Sequence, residues 1–191
     1  MTGLRIIQIP MINRSAVSIL SLSNCNIQEF LFFYSVHMKT SENLFFSNSN
    51  YNLYYVAQSN ILIVEANGNI KLESGQEAWL AALDKAEAHK ISRWVSDESA
   101  ITLLSHEGAK WWANEWFPMA QQRLRFPGKR LTATILSKRF YAEMSSKQAI
   151  TKTIRYEAVV GEQNKYMEHL FFQTFEEAYT WLVNYEETPL A

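Results

Sequence analysis

Residues 61–96 read ILIVEANGNIKLESGQEAWLAALDKAEAHKISRWVS. The opening run, Ile61–Val64, is continuously apolar, as a strand covered on both faces requires. Asn67 and Gly68 read as the turn that ends it. Residues 73–90 are helix formers throughout. Gln76, Trp79, Leu80, Leu83, Ala86 and Glu87 recur there at spacings of three and four, and the apolar members mark one buried stripe. Residues 91–96, ISRWVS, read as a short strand. Strand, helix, strand is the unit from which a parallel sheet is built, so this stretch decides the fold class.

On the N-terminal side, residues 43–48 (NLFFSN) and 52–58 (NLYYVAQ) are short β-rich runs separated by a hairpin-like break. On the C-terminal side, Ser105 is placed to cap a helix over 106–124, HEGAKWWANEWFPMAQQRL. Pro118 should kink or end that helix, because it has no N–H to donate. A strand follows at 129–136 (KRLTATIL), entered through the break FPGK. A helix is expected over 137–156, with Ser145 or Ser146 as an internal cap. A last strand (HLFF, 169–172) leads to a last helix over 174–187, where Thr174 and Glu177 form a capping box. The order β-β-β-α-β-α-β-α-β-α predicts an α/β fold: a mixed sheet with a parallel portion and helices packed against it.

The 191 residues suit one domain, and 48% hydrophobic residues supply an ample core. A net charge of −1 offers no basic surplus for phosphates, so nucleic acid is disfavoured as a partner. The single cysteine, Cys25, excludes an internal disulfide framework and fits a reducing, cytoplasmic setting. The nearest approach to a membrane span is LFFYSV, far short of the ~20 apolar residues needed. Composition changes near residue 38. Residues 1–37 carry only Arg5, Arg14 and Glu29 as charges, and Met38 opens MKTSENLFF like an ordinary protein start. The preferred reading divides the chain into an extension, 1–37, upstream of the true start or poorly packed, and a single domain, 38–191. The rival is an N-terminal helix or strand that pairs with the domain.

Several stretches carry a family resemblance: ILIVEANGNI with the helix after it, RWVSDES, WWANEWFPMA, KRLTATIL and FFQTFEEAYTWL. Together, over about residues 43–185, they resemble the SpoIIAA-like family of the STAS superfamily, small bacterial domains related to anti-sigma-factor antagonists. The resemblance implies a STAS-like fold and a role in regulatory protein–protein interaction. STAS antagonists place a phosphoacceptor serine in a loop that leaves a strand and opens a helix, whose free N–H groups favour the added charge. The corresponding stretch here is Asp97-Glu98-Ser99-Ala100. Glu98 stands where the family has a serine, and Ala100 where it has a glycine. The resemblance therefore implies a charged recognition loop, Asp97, Glu98 and Ser99, in which the Glu98 carboxylate stands in part for a phosphate. Ordinary capping of strand and helix ends explains the same residues.

The tryptophans offer a second candidate. Ala109, Trp112, Ala113, Trp116 and Ala120 follow helical spacing and read as core. Trp79 and Trp112 are expected to be largely buried, facing the sheet from different helices. Trp111 and Phe117 fall off the stripe. With Arg125 and Phe126 they form a candidate ligand or partner surface, either a groove between helix and sheet for a small hydrophobic ligand or a peripheral contact with a membrane. Core plus ordinary surface aromatics is the plainer account of the same residues.

Signals for catalysis are weak. His37, His89, His106 and His169 are scattered, without HExxH or CxxC spacing, so no metal site is expected. Phosphate-cradling glycine motifs and GxSxG are absent. The expectation is a non-catalytic binding domain without a cofactor. Its foremost partner is another protein, and a homodimer fits that reading. A carrier or sensor of a small hydrophobic or lipid-like ligand is the alternative, and an enzyme comes third.

Overall fold

The computed structural model describes residues 38–160 and 167–185, with the backbone path alone over 152–160. The expected extension 1–37 lies outside the described residues, as do Cys25 and His37. Six strands form one sheet in sequential order: β1 (Leu44–Ser47), β2 (Tyr51–Val56), β3 (Ile61–Ile70), β4 (Arg93–Leu104), β5 (Arg130–Ile135) and β6 (Met167–Phe172). β1, β2 and β3 are antiparallel neighbours, whereas β3 to β6 run parallel. The chain is therefore an α/β domain with a mixed sheet. Among the described residues no helix is long and apolar enough to cross a membrane.

The helices are α1 (Leu72–His89), α2 (His106–Trp111), a π-helical turn (Trp112–Trp116), α3 (Phe117–Arg123), α4 (Phe140–Val160) and α5 (Phe175–Asn184). Each crossover from β3 onwards steps to the next strand in the same direction. A common hand then puts α1, α2–α3 and α4 on one face of the sheet. That face is built from Leu62, Val64 and Ala66 of β3 with Trp94 of β4. The intervening residues, Ile61, Ile63 and Val95, point the other way and pack with Phe175, Ala178 and Leu182 of α5. Alternation along a strand makes these two cores from one continuous apolar run, which is why that run is central.

Several elements depart from expectation. β3 does not end at Asn67–Gly68: it runs to Ile70, with Gly68 at φ +70 inside the strand. β4 does not end at Ser96 but continues to Leu104. The reason is a pair of β-bulges. Glu65 pairs with Asp97 and Asn67 with Ala100, so β4 carries one extra residue at Glu98–Ser99. A second shift falls between Gly68 and Asn69. Bulges absorb irregular residues without ending a strand and re-aim the side chains beside them. The stripe of α1 also differs. Its buried face is small, Ala78, Ala82 and Ala86 with Leu83, while Leu80 is exposed. Ser146 does not cap anything, since α4 passes through it unbroken. Pro118 does not stop its helix either. It sits in the first turn of α3, where a missing N–H is tolerated.

Capping follows the sequence. The Ser105 hydroxyl accepts from the Gly108 N–H at 3.0 Å. A side chain at 108 would bring its Cβ within 2.8 Å of that oxygen, which favours glycine there. Thr174 and Glu177 form the full reciprocal box at α5.

Lys39 clamps the α5 face. Its ammonium bonds Glu65 Oε1 and Asp97 Oδ2, each at 2.6 Å, and lies over the Phe175 ring. Burial alone would raise the Asp97 carboxyl, but the Lys39 charge and Ser99 hydrogen bonds hold it below its ordinary range. Lys39→Met leaves two carboxylates facing each other and should destabilise the domain by about 2 kcal/mol. A fully buried pair loses ~3–5 kcal/mol, but this one is partly solvated. Urea denaturation at neutral pH measures it, and a loss under ~0.5 kcal/mol would show the clamp to be idle.

Candidate functional site

A cavity lies between the sheet and the helices α1 to α4. It opens about 90 Å³ to the centres of water molecules. A single water needs ~10–15 Å³ in that measure, so there is room for roughly six waters or one small ligand in their place.

The cavity is walled by aromatic rings, from the helices above and from one strand below. Trp79 comes from α1, Trp94 from β4, and Trp111, Trp112, Trp116 and Phe117 from the bent helix. Their order depends on the π turn, in which the Phe117 N–H donates to the Trp112 carbonyl five residues back. One residue is thereby added to the turn, and the inward face advances by one position. Gly108, Trp116, Phe117, Ala120 and Leu124 become buried, whereas Trp112 and Ala113 are only half-buried. Single π turns of this kind gather at functional sites. The rings of Trp79 and Trp116 are 4.6 Å apart, those of Trp112 and Trp116 5.3 Å, and those of Trp79 and Trp112 5.8 Å. The Trp94 ring stands 6.1 Å from Trp116.

Three of these four indoles have partners for their N–H groups. Trp116 donates to the Trp79 carbonyl at 2.8 Å, Trp94 to the Ile91 carbonyl at 3.3 Å, and Trp79 to the Tyr51 hydroxyl. The fourth, Trp112 Nε1, is shielded from solvent with no partner among the described residues.

The floor is polar, which is unusual under a buried sheet. Alternation in β5 turns Arg130, Thr132 and Thr134 toward the cavity, and β4 adds Ser96 and Glu98. The Arg130 guanidinium bonds the Ala120 carbonyl, Gln121 Oε1 and the Met167 sulfur. Glu98 Oε1 accepts from the Ser96 hydroxyl at 3.2 Å. Its Oε2 is shielded, again without a partner among the described residues. Burial pushes the Glu98 carboxyl up, and the neighbouring Asp97 charge adds to this; the Ser146 and Ser96 hydroxyls oppose it. His169 of β6 also lines the cavity, with Nε2 shielded and unpartnered among the described residues. Burial depresses its pKa to about 4, so its ring is neutral at pH 7.

The residues singled out from sequence therefore separate. Asp97, Glu98 and Ser99 form no loop and open no helix. They lie within β4, about the bulge, and the next helix begins only at His106. Asp97 faces α5, tied to Lys39 and accepting the Ser99 hydroxyl at 2.6 Å. Glu98 faces the cavity, and its carboxyl is turned inward rather than solvated. Trp111 and Phe117 both line the cavity. Phe126 is half-buried against the same core and Arg125 is exposed; neither lines the cavity. Sequence reasoning passed over Trp94, Tyr51, Arg130, Ser146 and His169 as site residues. One signal was readable: in RLTATI, polar residues occupy every second place of a strand that is covered on both sides.

Comparison with protein-family models, with curated proteins and with solved structures finds no match.

Proposed function

We propose that this chain is a small-molecule-binding domain, a carrier or sensor that holds a largely apolar ligand with a polar end between helices and sheet. One observation carries the reading. Three shielded polar atoms without partners among the described residues, Glu98 Oε2, Trp112 Nε1 and His169 Nε2, all belong to residues lining one aromatic cavity. A buried polar group left unmatched is destabilising by about 1–3 kcal/mol, so three in one place mark a site shaped for an occupant. The geometry favours this over the protein-interaction role, because of the three residues chosen for that role Asp97 is bound to Lys39 and Glu98 is turned inward, which leaves Ser99 alone exposed. Native mass spectrometry of the chain purified without denaturant tests it. The expected result is a small-molecule adduct at one per chain, lost on unfolding. A bare chain, together with tryptophan emission that saturating benzene leaves unchanged, would sink the proposal.

A further inference from the structure

We infer that the cavity takes a small organic cation, a protonated amine on an apolar body, with its ammonium group against Glu98. The inference deepens the pocket reading above and rests on it. Among the described residues, Glu98 is the only carboxylate that lines the cavity. One of its oxygens accepts from Ser96, the Ser146 hydroxyl also acts on the carboxyl, and Oε2 is shielded with no hydrogen-bond partner among the described residues. Asp97, its neighbour on the opposite face, adds negative potential at that carboxyl. Among the described residues the lining has two cationic side chains, and neither is placed on Glu98. Arg130 is directed at Ala120, Gln121 and Met167, and Lys71 is exposed at the start of α1.

An ammonium ion is the partner that fits such a group. A shielded carboxylate without a counter-charge is costly, and a cation supplies that charge through a charge-assisted hydrogen bond. The walls act in the same sense. Trp79, Trp94, Trp112 and Trp116 surround the space, and indole is the strongest aromatic partner for a cation. Neutral His169, which lies opposite Thr132 and Trp94 in the sheet, offers Nε2 as an acceptor to a donor elsewhere on the ligand when its own proton sits on Nδ1. Trp112 Nε1–H is the one fixed donor of the three. It suits a hydroxyl or carbonyl oxygen on the body of the ligand.

The test compares three probes that share an aryl body and differ in the head: 2-phenylethylamine, 2-phenylethanol and 3-phenylpropionate. Each is titrated into the full chain by calorimetry and by tryptophan emission. The amine should bind at least ~10-fold more tightly than the alcohol, with the propionate weakest. Glu98→Gln should erase the gap between amine and alcohol and leave the alcohol unaffected. Should Glu98→Gln fail to fold, the comparison on the unaltered chain decides alone. Equal binding of amine and alcohol overturns the cation and leaves the pocket reading standing. Tightest binding by the propionate also overturns it and moves recognition to Arg130. Binding by none of the three overturns it as well, and a bare native mass spectrum would then remove the pocket reading too.

Discussion

Trp116→Ala should destabilise the domain by about 3–5 kcal/mol, the range for removing a large buried aromatic. Trp116 is 5% exposed, and its ring touches those of Trp79, Trp94 and Trp112. Its N–H donates to the Trp79 carbonyl at 2.8 Å, tying the bent helix to α1. The substitution removes the ring that joins three others, and the neighbouring backbone carbonyl loses its donor. Trp112→Ala, one turn earlier, should be milder, at about 1–2 kcal/mol, because Trp112 is half-buried and its N–H bonds nothing among the described residues. Equilibrium denaturation of both variants in urea gives the comparison. Equal losses, or a greater loss at Trp112, would mean that the π turn does not set the inward face.

Acid should weaken the fold through His169. Its folded pKa is about 4 against an ordinary value of 6.5, and burial is the cause. A histidine kept neutral by the fold binds fewer protons than the unfolded chain between those two values. Stability is then fully present above pH 6.5 and is lost as pH falls toward 4. Two and a half pH units at ~1.4 kcal/mol each give about 3.5 kcal/mol in all, of which about 3 kcal/mol falls between pH 7 and pH 4. Glu98 acts with the opposite sign. Its raised carboxyl is easier to bury protonated, so its share of stability is lost as pH rises above 4.5. Asp97 is held low by Lys39, and its share is lost only below the ordinary carboxylate range. The His169→Gln variant separates these contributions. Between pH 7 and pH 4 the parent should lose about 3 kcal/mol more than the variant. Parallel pH profiles would show that the imidazole is solvated in the folded protein.

How far the sequence reached can be judged element by element. The continuous run Ile61–Val64, the helix over 73–90, the capping box at Thr174 and the cap at Ser105 all have local causes: apolar period, helix propensity and a hydroxyl three residues before an amide. Each was legible because neighbours in the chain suffice to produce it. The mixed α/β class followed from their order.

The site depended on features that no local pattern encodes. A β-bulge depends on the register of two strands, so nothing within SDES says that β4 runs on to Leu104 or that Glu98 turns inward while Asp97 turns out. The π turn likewise moves the inward face of its helix by one residue. Regular spacing therefore placed Trp112 in the core and Phe117 outside it, and the structure reverses the pair. His169, Ser146 and Glu98 stand far apart in the chain, on β6, α4 and β4. They line one cavity only because parallel crossovers lay those elements side by side. By itself, the sequence determined the order of strands and helices and how much apolar surface they must hide, but not how far β3 and β4 run. The tertiary structure alone decided which polar groups are hidden with it, because burial of a side chain depends on what packs over it from remote parts of the chain.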